Sequence, residues 1–259
     1  MLRTPVSAGV FFFLFQTLVG SVMTSWPDFL GMPLWVWVFV LPSLLTVLAR
    51  FFRPQAQKLL SPVWRWLDRV YTASGVVASM FMVLILIIII FQMMARWTGV
   101  TFEGSTEFAG YAMAATSFFA MAHALGHGAH IRVSILLNLN QFTRLWLNAL
   151  AMFIAAITAT YFARYAIKTN FLSEMLNDRT QGQDQLPEWL LTVFEMVVTA
   201  PWNWGDLWAK TTDAWVYTPV WVPQLPMSIG TTLLAIALWD HLIRLLVNGE
   251  SDIKAETVQ

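Results

Sequence analysis

The chain has no cysteine in its 259 residues. That absence excludes disulfides, thiolate zinc sites, iron–sulfur clusters and a cysteine nucleophile together. Charge is scarce as well. Only 12% of residues are Asp, Glu, Lys or Arg, against about 25% in an ordinary soluble domain. Acidic and basic residues cancel at fifteen each, so there is no basic excess to hold nucleic acid. No P-loop, G-x-G-x-x-G or G-x-S-x-G pattern occurs, which argues against ATP hydrolysis and against a serine-hydrolase centre. Apolar residues fill the chain instead. They make up 58% of it, with fourteen Trp and nineteen Phe, aromatics of the kind that gather at membrane interfaces. The composition is that of an all-α integral membrane protein.

A helix crossing the hydrocarbon core needs about 20 mostly apolar residues. Four stretches meet this well: 74–94, which carries no charge, then 108–129, 145–163 and 227–247. The last ends on Asp240, His241 and Arg244, so its tail is expected among lipid headgroups. Two shorter runs precede them, 8–25 and 33–49, the second with Pro42 inside. The turn "TSWPDFLGMP" between them is no small-residue cleavage site, so a retained N-terminal helical hairpin is expected rather than a cleaved signal. That makes six spans in total, or four with the same orientation if the first two runs do not cross.

Basic residues then orient the chain. The stretch 50–69 holds Arg50, Arg53, Lys58, Arg65 and Arg69. With this link in the cytoplasm, both termini are cytoplasmic and the segment 164–226 lies outside. The expected organisation is an N-terminal hairpin with its basic link (1–65), a membrane domain (66–250) and a short cytoplasmic tail (251–259). The outer segment is acidic and rich in tryptophan, including Trp202 and Trp204. Within it, Pro187 followed by Glu188 marks a helix start. The run after it is too short to span, so a helix lying in the interface is expected; a docking surface for a soluble partner is the alternative.

Three of the four histidines, His123, His127 and His130, stand four and three apart, on one face of a helix. Metal or haem would use such a face. The polar end of a spanning helix is the simpler account, with Arg132 snorkelling beside it. Glu103 and Glu107, four apart before the 108–129 span, favour its helix dipole, or else fix a partner or lipid headgroup. Gly110, Ala114, Ser117 and Met121 form a small-residue stripe that admits close helix approach. The spans 74–94 and 145–163 carry no ionisable residue and no internal repeat is evident, unlike a complete transporter.

From about residue 66 to 247 the chain resembles the small membrane subunit (DctQ-like) of tripartite ATP-independent periplasmic (TRAP) transporters. The resemblance lies in "WRWLDRVYTASGVVASMFMVLIL", then "TFEGSTEFAGYAMAATSFFAMAHAL", then "GHGAHIRVSILLNLN", then a last helix entered through "VPQLPMSIG". Glu107 matches the second of the family's paired glutamates, while Thr106 stands at the first. The family's four membrane helices leave residues 1–65 as an addition, and the outer segment is longer than usual.

The resemblance implies a non-catalytic scaffold in the bacterial inner membrane. Its partners would be a large membrane subunit (DctM-like), a periplasmic solute-binding protein and phospholipids. No cofactor is implied in this chain; sodium is expected in the large subunit, driving uptake of an organic acid. Interface candidates are Glu103, Glu107, Gly110, Ala114, His130, Arg132, Trp202 and Trp204. A haem-bearing anchor of a respiratory complex, with His127 and His241 as ligands, is the alternative.

Overall fold

The computed structural model describes residues 26, 28–51, 53–127, 141–198 and 201–248. A two-stranded hairpin opens them, β1 (Asp28–Phe29) against β2 (Met32–Pro33). A π-helical turn, Val36–Val40, leads into α1 (Leu41–Phe51). Then come α2 (Arg53–Thr98), α3 (Ser105–Gly126) and α4 (Gln141–Met175). The outer segment holds β3 (Gln185–Pro187), α5 (Glu188–Val198), a 3₁₀ turn (Pro201–Asn203), α6 (Trp204–Ala209) and β4 (Trp215–Tyr217). The last helix is α7 (Trp221–Asn248).

Among the described residues four helices are long and apolar enough to cross a membrane, within α2, α3, α4 and α7. Of the expected N-terminal hairpin, the run 8–25 lies outside the described residues. The second run is helical over Val36–Phe51 but shorter than a span, at about 24 Å by helical rise. The basic stretch 50–69 is not a loop. Arg50 lies in the last turn of α1, and residues 53–69 form the first turns of the 46-residue α2, which at about 69 Å outreaches a hydrocarbon core of about 30 Å. Pro62 interrupts the ladder there, and Ser61 Oγ donates to the Lys58 carbonyl (3.3 Å) that proline leaves without its amide. α4 likewise runs past the apolar stretch, through Arg164 and Lys168 to Met175.

The bundle is built around α7, which packs on α4 along its length and also on α3, α1 and α2. In its most apolar window 67% of residues are buried, against 11% for α2. Alanine makes the contact close. Ala156, Ala159, Ala163 and Ala166 are buried along one face of α4, and Ser228 Oγ on α7 reaches the Ala166 carbonyl at 3.1 Å. Trp239 donates its indole N–H to Thr160 Oγ1 at 3.1 Å, and Asn170 Nδ2 donates to the Trp221 carbonyl at 2.8 Å. Gly230 of α7 sits directly on the backbone of α3: a Cβ there would lie 2.4 Å from the Phe118 carbonyl oxygen. Hydroxyls inside the spans are satisfied by their own helices, as Thr116, Thr158, Thr160 and Thr231 each bond the carbonyl four residues back.

Candidate functional site

Two polar assemblies tie the bundle, one at each end of α7. The first joins α2 to the C-terminal half of α7. Arg244 Nη2 lies 2.8 Å from Asp240 Oδ2 and 2.7 Å from Asp68 Oδ1. The Asp240–Arg244 spacing, acid first at i,i+4, is the favourable helical order. Arg244 also donates to the Trp64 carbonyl (3.3 Å) and holds its guanidinium 5.4 Å from that indole. Tyr71 completes the set, its hydroxyl donating to Asp240 Oδ2 at 3.4 Å. Asp240, His241 and Arg244 are all buried, so the tail of this span does not offer its charges to headgroups. The partner charge lies on α2 instead, and burial of an ion pair is tolerated only with such a partner.

The histidines pack around this assembly. His241 stacks on Tyr71, ring centroids 6.3 Å apart, and its Nε2 looks into the α3 backbone at Gly126. His123 fills the space above Gly75 of α2, and its ring lies 4.2 Å from that of His127. His241 is thus buried between Tyr71 of α2 and Gly126 of α3. Among the described residues no three His, Cys, Asp or Glu cluster as metal ligands. His123 and His127 act as packing groups at the end of α3, where His127 is the C-cap. His130 and Arg132 lie outside the described residues.

The second assembly straps the outer segment onto α3. Residues 179–187 and 215–219 run as an antiparallel ribbon, with Arg179 bridging Pro219 and Gln185 pairing Tyr217. Asp184, fully buried, is its knot. Its carboxylate accepts from Tyr111 of α3 (2.6 Å) and from Thr180 (2.8 Å), while its carbonyl accepts from Thr218 Oγ1 (2.6 Å). Gly104, at φ 75°, turns the chain into α3 directly beneath this ribbon. A Cβ there would meet Gln183 O at 2.8 Å and Asp184 Cα at 2.9 Å, so both conformation and space require glycine.

Glu107 belongs to this strap. Its Oε1 accepts the Gln183 N–H at 3.4 Å, so its nearest partner is this chain's own outer segment. Glu103 is exposed. Trp202 is 82% exposed; Trp204 is partly so and donates its indole N–H to the Met196 carbonyl at 2.8 Å. Glu188 starts α5, as the Pro187–Glu188 pair predicts, and accepts both the N–H (3.0 Å) and the hydroxyl of Thr212. Those two bonds from Thr212 hold its carboxyl below the ordinary glutamate value of 4.5. A depressed carboxylate stabilises the fold above its unfolded value and loses that contribution as pH falls through the folded one. Acidification below 4.5 is therefore expected to loosen α5 from the turn between α6 and β4 that carries Thr212. Tryptophan fluorescence of the wild type should show a step that is missing in Glu188→Gln, and identical profiles would refute the assignment.

The stripe Gly110, Ala114, Ser117, Met121 divides. Gly110 and Ser117 are exposed, and nothing lies within 4 Å of a Cβ on Gly110. The face that α3 buries within the chain runs instead through Ala112, Ala115, Ala122 and Leu125. Gly110, Met113 and Ser117 thus form an open strip, and α2 is open too at Met80, Val83 and Ile87. Asp68, Tyr71, Tyr111 and Asp184 were not singled out by sequence reasoning. The Asp240–Arg244 spacing within an apolar helix, read from the sequence as a headgroup tail, is the one sequence signal that could have marked the first assembly.

Residues 85–200 match the family described as tripartite ATP-independent periplasmic transporters, DctQ component. The matched stretch runs from the middle of α2 to just past α5, so it includes Glu107, Tyr111, Asp184 and the open strip, but neither β4 of the strap nor α7. No curated protein and no solved structure matches the chain.

Proposed function

We infer the role of this chain from the premise that it carries the DctQ component, the small membrane component of a tripartite ATP-independent periplasmic transporter. It is a non-catalytic scaffold that braces the large transport subunit while that subunit carries an organic acid inward on a sodium gradient. A periplasmic binding protein delivers the substrate, and the Trp-rich outer segment lies toward that side, along the lipid surface or against the binding protein. Both termini are cytoplasmic, in keeping with the basic N-terminal turns of α2. The family match carries the reading. The architecture supports it: a central helix held by buried ion pairs and alanine contacts makes a stiff body, while α2 and α3 keep open apolar faces. Such faces suit a neighbouring helical protein, because close van der Waals packing rather than hydrophobicity drives association in lipid.

Gly110 is the sharpest probe of that interface, since a larger side chain there meets nothing within this chain. Gly110→Leu is expected to leave insertion and folding intact while cutting recovery of the large subunit in mild-detergent affinity purification several-fold. Glu107→Ala, acting through the strap, and Arg132→Ala are expected to lower uptake in cells. If all three variants assemble and transport like the wild type, the proposed interface is wrong. If the chain purifies without a large hydrophobic partner, the scaffold reading itself fails.

A further inference from the structure

An apolar groove of about 590 Å³ lies between α1 and α4, lined by Trp35, Phe39, Leu44, Val47, Phe153 and Tyr161, among others. Leu44 and Val47 are each more than half exposed in it. We propose that the occupant is this chain's own N-terminal apolar stretch, residues 8–25, packed antiparallel to α1 and completing a helical hairpin. This does not depend on the transporter reading.

Three observations point to that occupant. The first is where the chain comes in. Trp26 stands edge-on to Phe39 and to Tyr161, ring centroids 5.8 and 6.1 Å apart, and both of those residues line the groove. The Arg164 guanidinium covers the Trp26 ring at 3.5 Å. The stretch 8–25 is therefore tethered at the mouth of the groove. The second is direction. The β1–β2 hairpin reverses the chain between Trp26 and α1, so a helix leading into Trp26 runs back along α1.

The third is pattern and length. Eighteen residues make a helix of about 27 Å, a match for Val36–Phe51 at about 24 Å. Stepping back from Trp26 by fours gives Val22, Leu18 and Leu14, an unbroken apolar ridge of the kind that fills a groove. With Trp26 level with Phe39 and Tyr161, Val22 comes level with Ser43 and Ile157, and Leu18 with Val47 and Phe153. All four of those partners line the groove. A lipid acyl chain has the right polarity as well. The tethered segment outcompetes it because its docking is intramolecular, at a high effective concentration.

The absence of native cysteine makes the test direct. Leu18→Cys/Val47→Cys and Val22→Cys/Ser43→Cys are introduced into the full chain and treated, in native membranes, with a short bifunctional maleimide. Both pairs are expected to cross-link within one chain in most molecules, while Leu18→Cys/Met82→Cys, directed to the open face of α2, does not. A spin label at Ser43→Cys alone is expected to be several-fold less accessible to oxygen than one at Met82→Cys. The proposal is overturned if neither pair cross-links within a chain. It is also overturned if cross-links form only between two chains, which places a second copy in the groove, or if Ser43 and Met82 labels are equally accessible, which places lipid there.

Discussion

Gly230→Ala is expected to destabilise the folded chain by at least tenfold in its folding equilibrium, although alanine is ordinarily the better helix residue. Two effects oppose one another. Replacing a mid-helix glycine gains about 0.5–1 kcal/mol from chain entropy. At this position the new Cβ would stand 2.4 Å from the Phe118 carbonyl oxygen, 2.6 Å from its carbon and 2.7 Å from its Cβ. These are largely backbone atoms, so no rotamer change relieves the clash and α7 must move off α3. Overpacking of this kind costs about 1–3 kcal/mol and occasionally more, and here it also disturbs the alanine contacts that α7 makes with α4. The net loss is expected to exceed about 1.4 kcal/mol, a factor of ten. Gly110→Ala is the matched control, because nothing lies within 4 Å of its Cβ. Reversible unfolding in mild detergent, followed by tryptophan fluorescence, reads both variants. If Gly230→Ala is as stable as Gly110→Ala, the α3–α7 crossing is not as close as described.

Arg244→Met is expected to be more damaging still. It strands Asp240, whose side chain is only 5% exposed, with the Tyr71 hydroxyl as its remaining partner, and releases Asp68 from α7. Removing one member of a buried ion pair costs about 3–5 kcal/mol, because the other charge stays desolvated. Removing both is a different matter. Asp240→Leu with Arg244→Met leaves no buried charge on α7, and the double variant is expected to recover most of the loss. The pair should therefore be strongly non-additive in a double-mutant cycle. Asp68→Asn is expected to cost much less, since the Asp68 side chain is 53% exposed and exposed pairs contribute about 0–1 kcal/mol. Additive losses for Asp240 and Arg244 would mean that the two charges are not coupled as the structure places them.

The arrangement explains why an apolar helix would carry charge at all. Asp68, Tyr71 and Trp64 lie on α2, a helix that packs closely on α3 but meets α7 over only a short stretch. Alanine contacts hold α7 to α4, but α2 has no comparable run against α7. The Arg244 assembly supplies the link, and it fixes one register of α2 against α7 through directional bonds. At the other end Asp184 does the same for the outer segment, joining it to Tyr111 on α3. Glu107 adds a further bond to that strap, so its variant tests the strap as well as any interface beyond it.

The membrane class, the four long apolar helices and the start of α5 were legible in the sequence; of the two further N-terminal spans it suggested, Val36–Phe51 is shorter than a span and 8–25 lies outside the described residues. Each rests on a local property, namely the length of an apolar run or the chemistry of a helix first turn, and local properties survive in a one-dimensional reading. The resemblance to the DctQ component was legible for a related reason, because it lies in the order and spacing of such segments. Which face of each helix is buried was not legible. In a bilayer the lipid-facing side is as apolar as the packed side, so hydropathy does not separate them. The stripe Gly110–Ser117 looked like a packing face, yet the chain buries Ala112, Ala115 and Ala122 and leaves Gly110 open. The tail of α7 looked like a headgroup anchor, yet Arg244 finds its second carboxylate on Asp68, far away in sequence. The sequence by itself therefore determined the membrane class, the four long apolar helices and the order of segments in which the family resemblance lies. Only the tertiary structure decided that α7 is the centre of the bundle and that Asp68, Asp240, Arg244, Tyr111 and Asp184 hold it, because those pairings depend on which helices meet, and no local pattern encodes that.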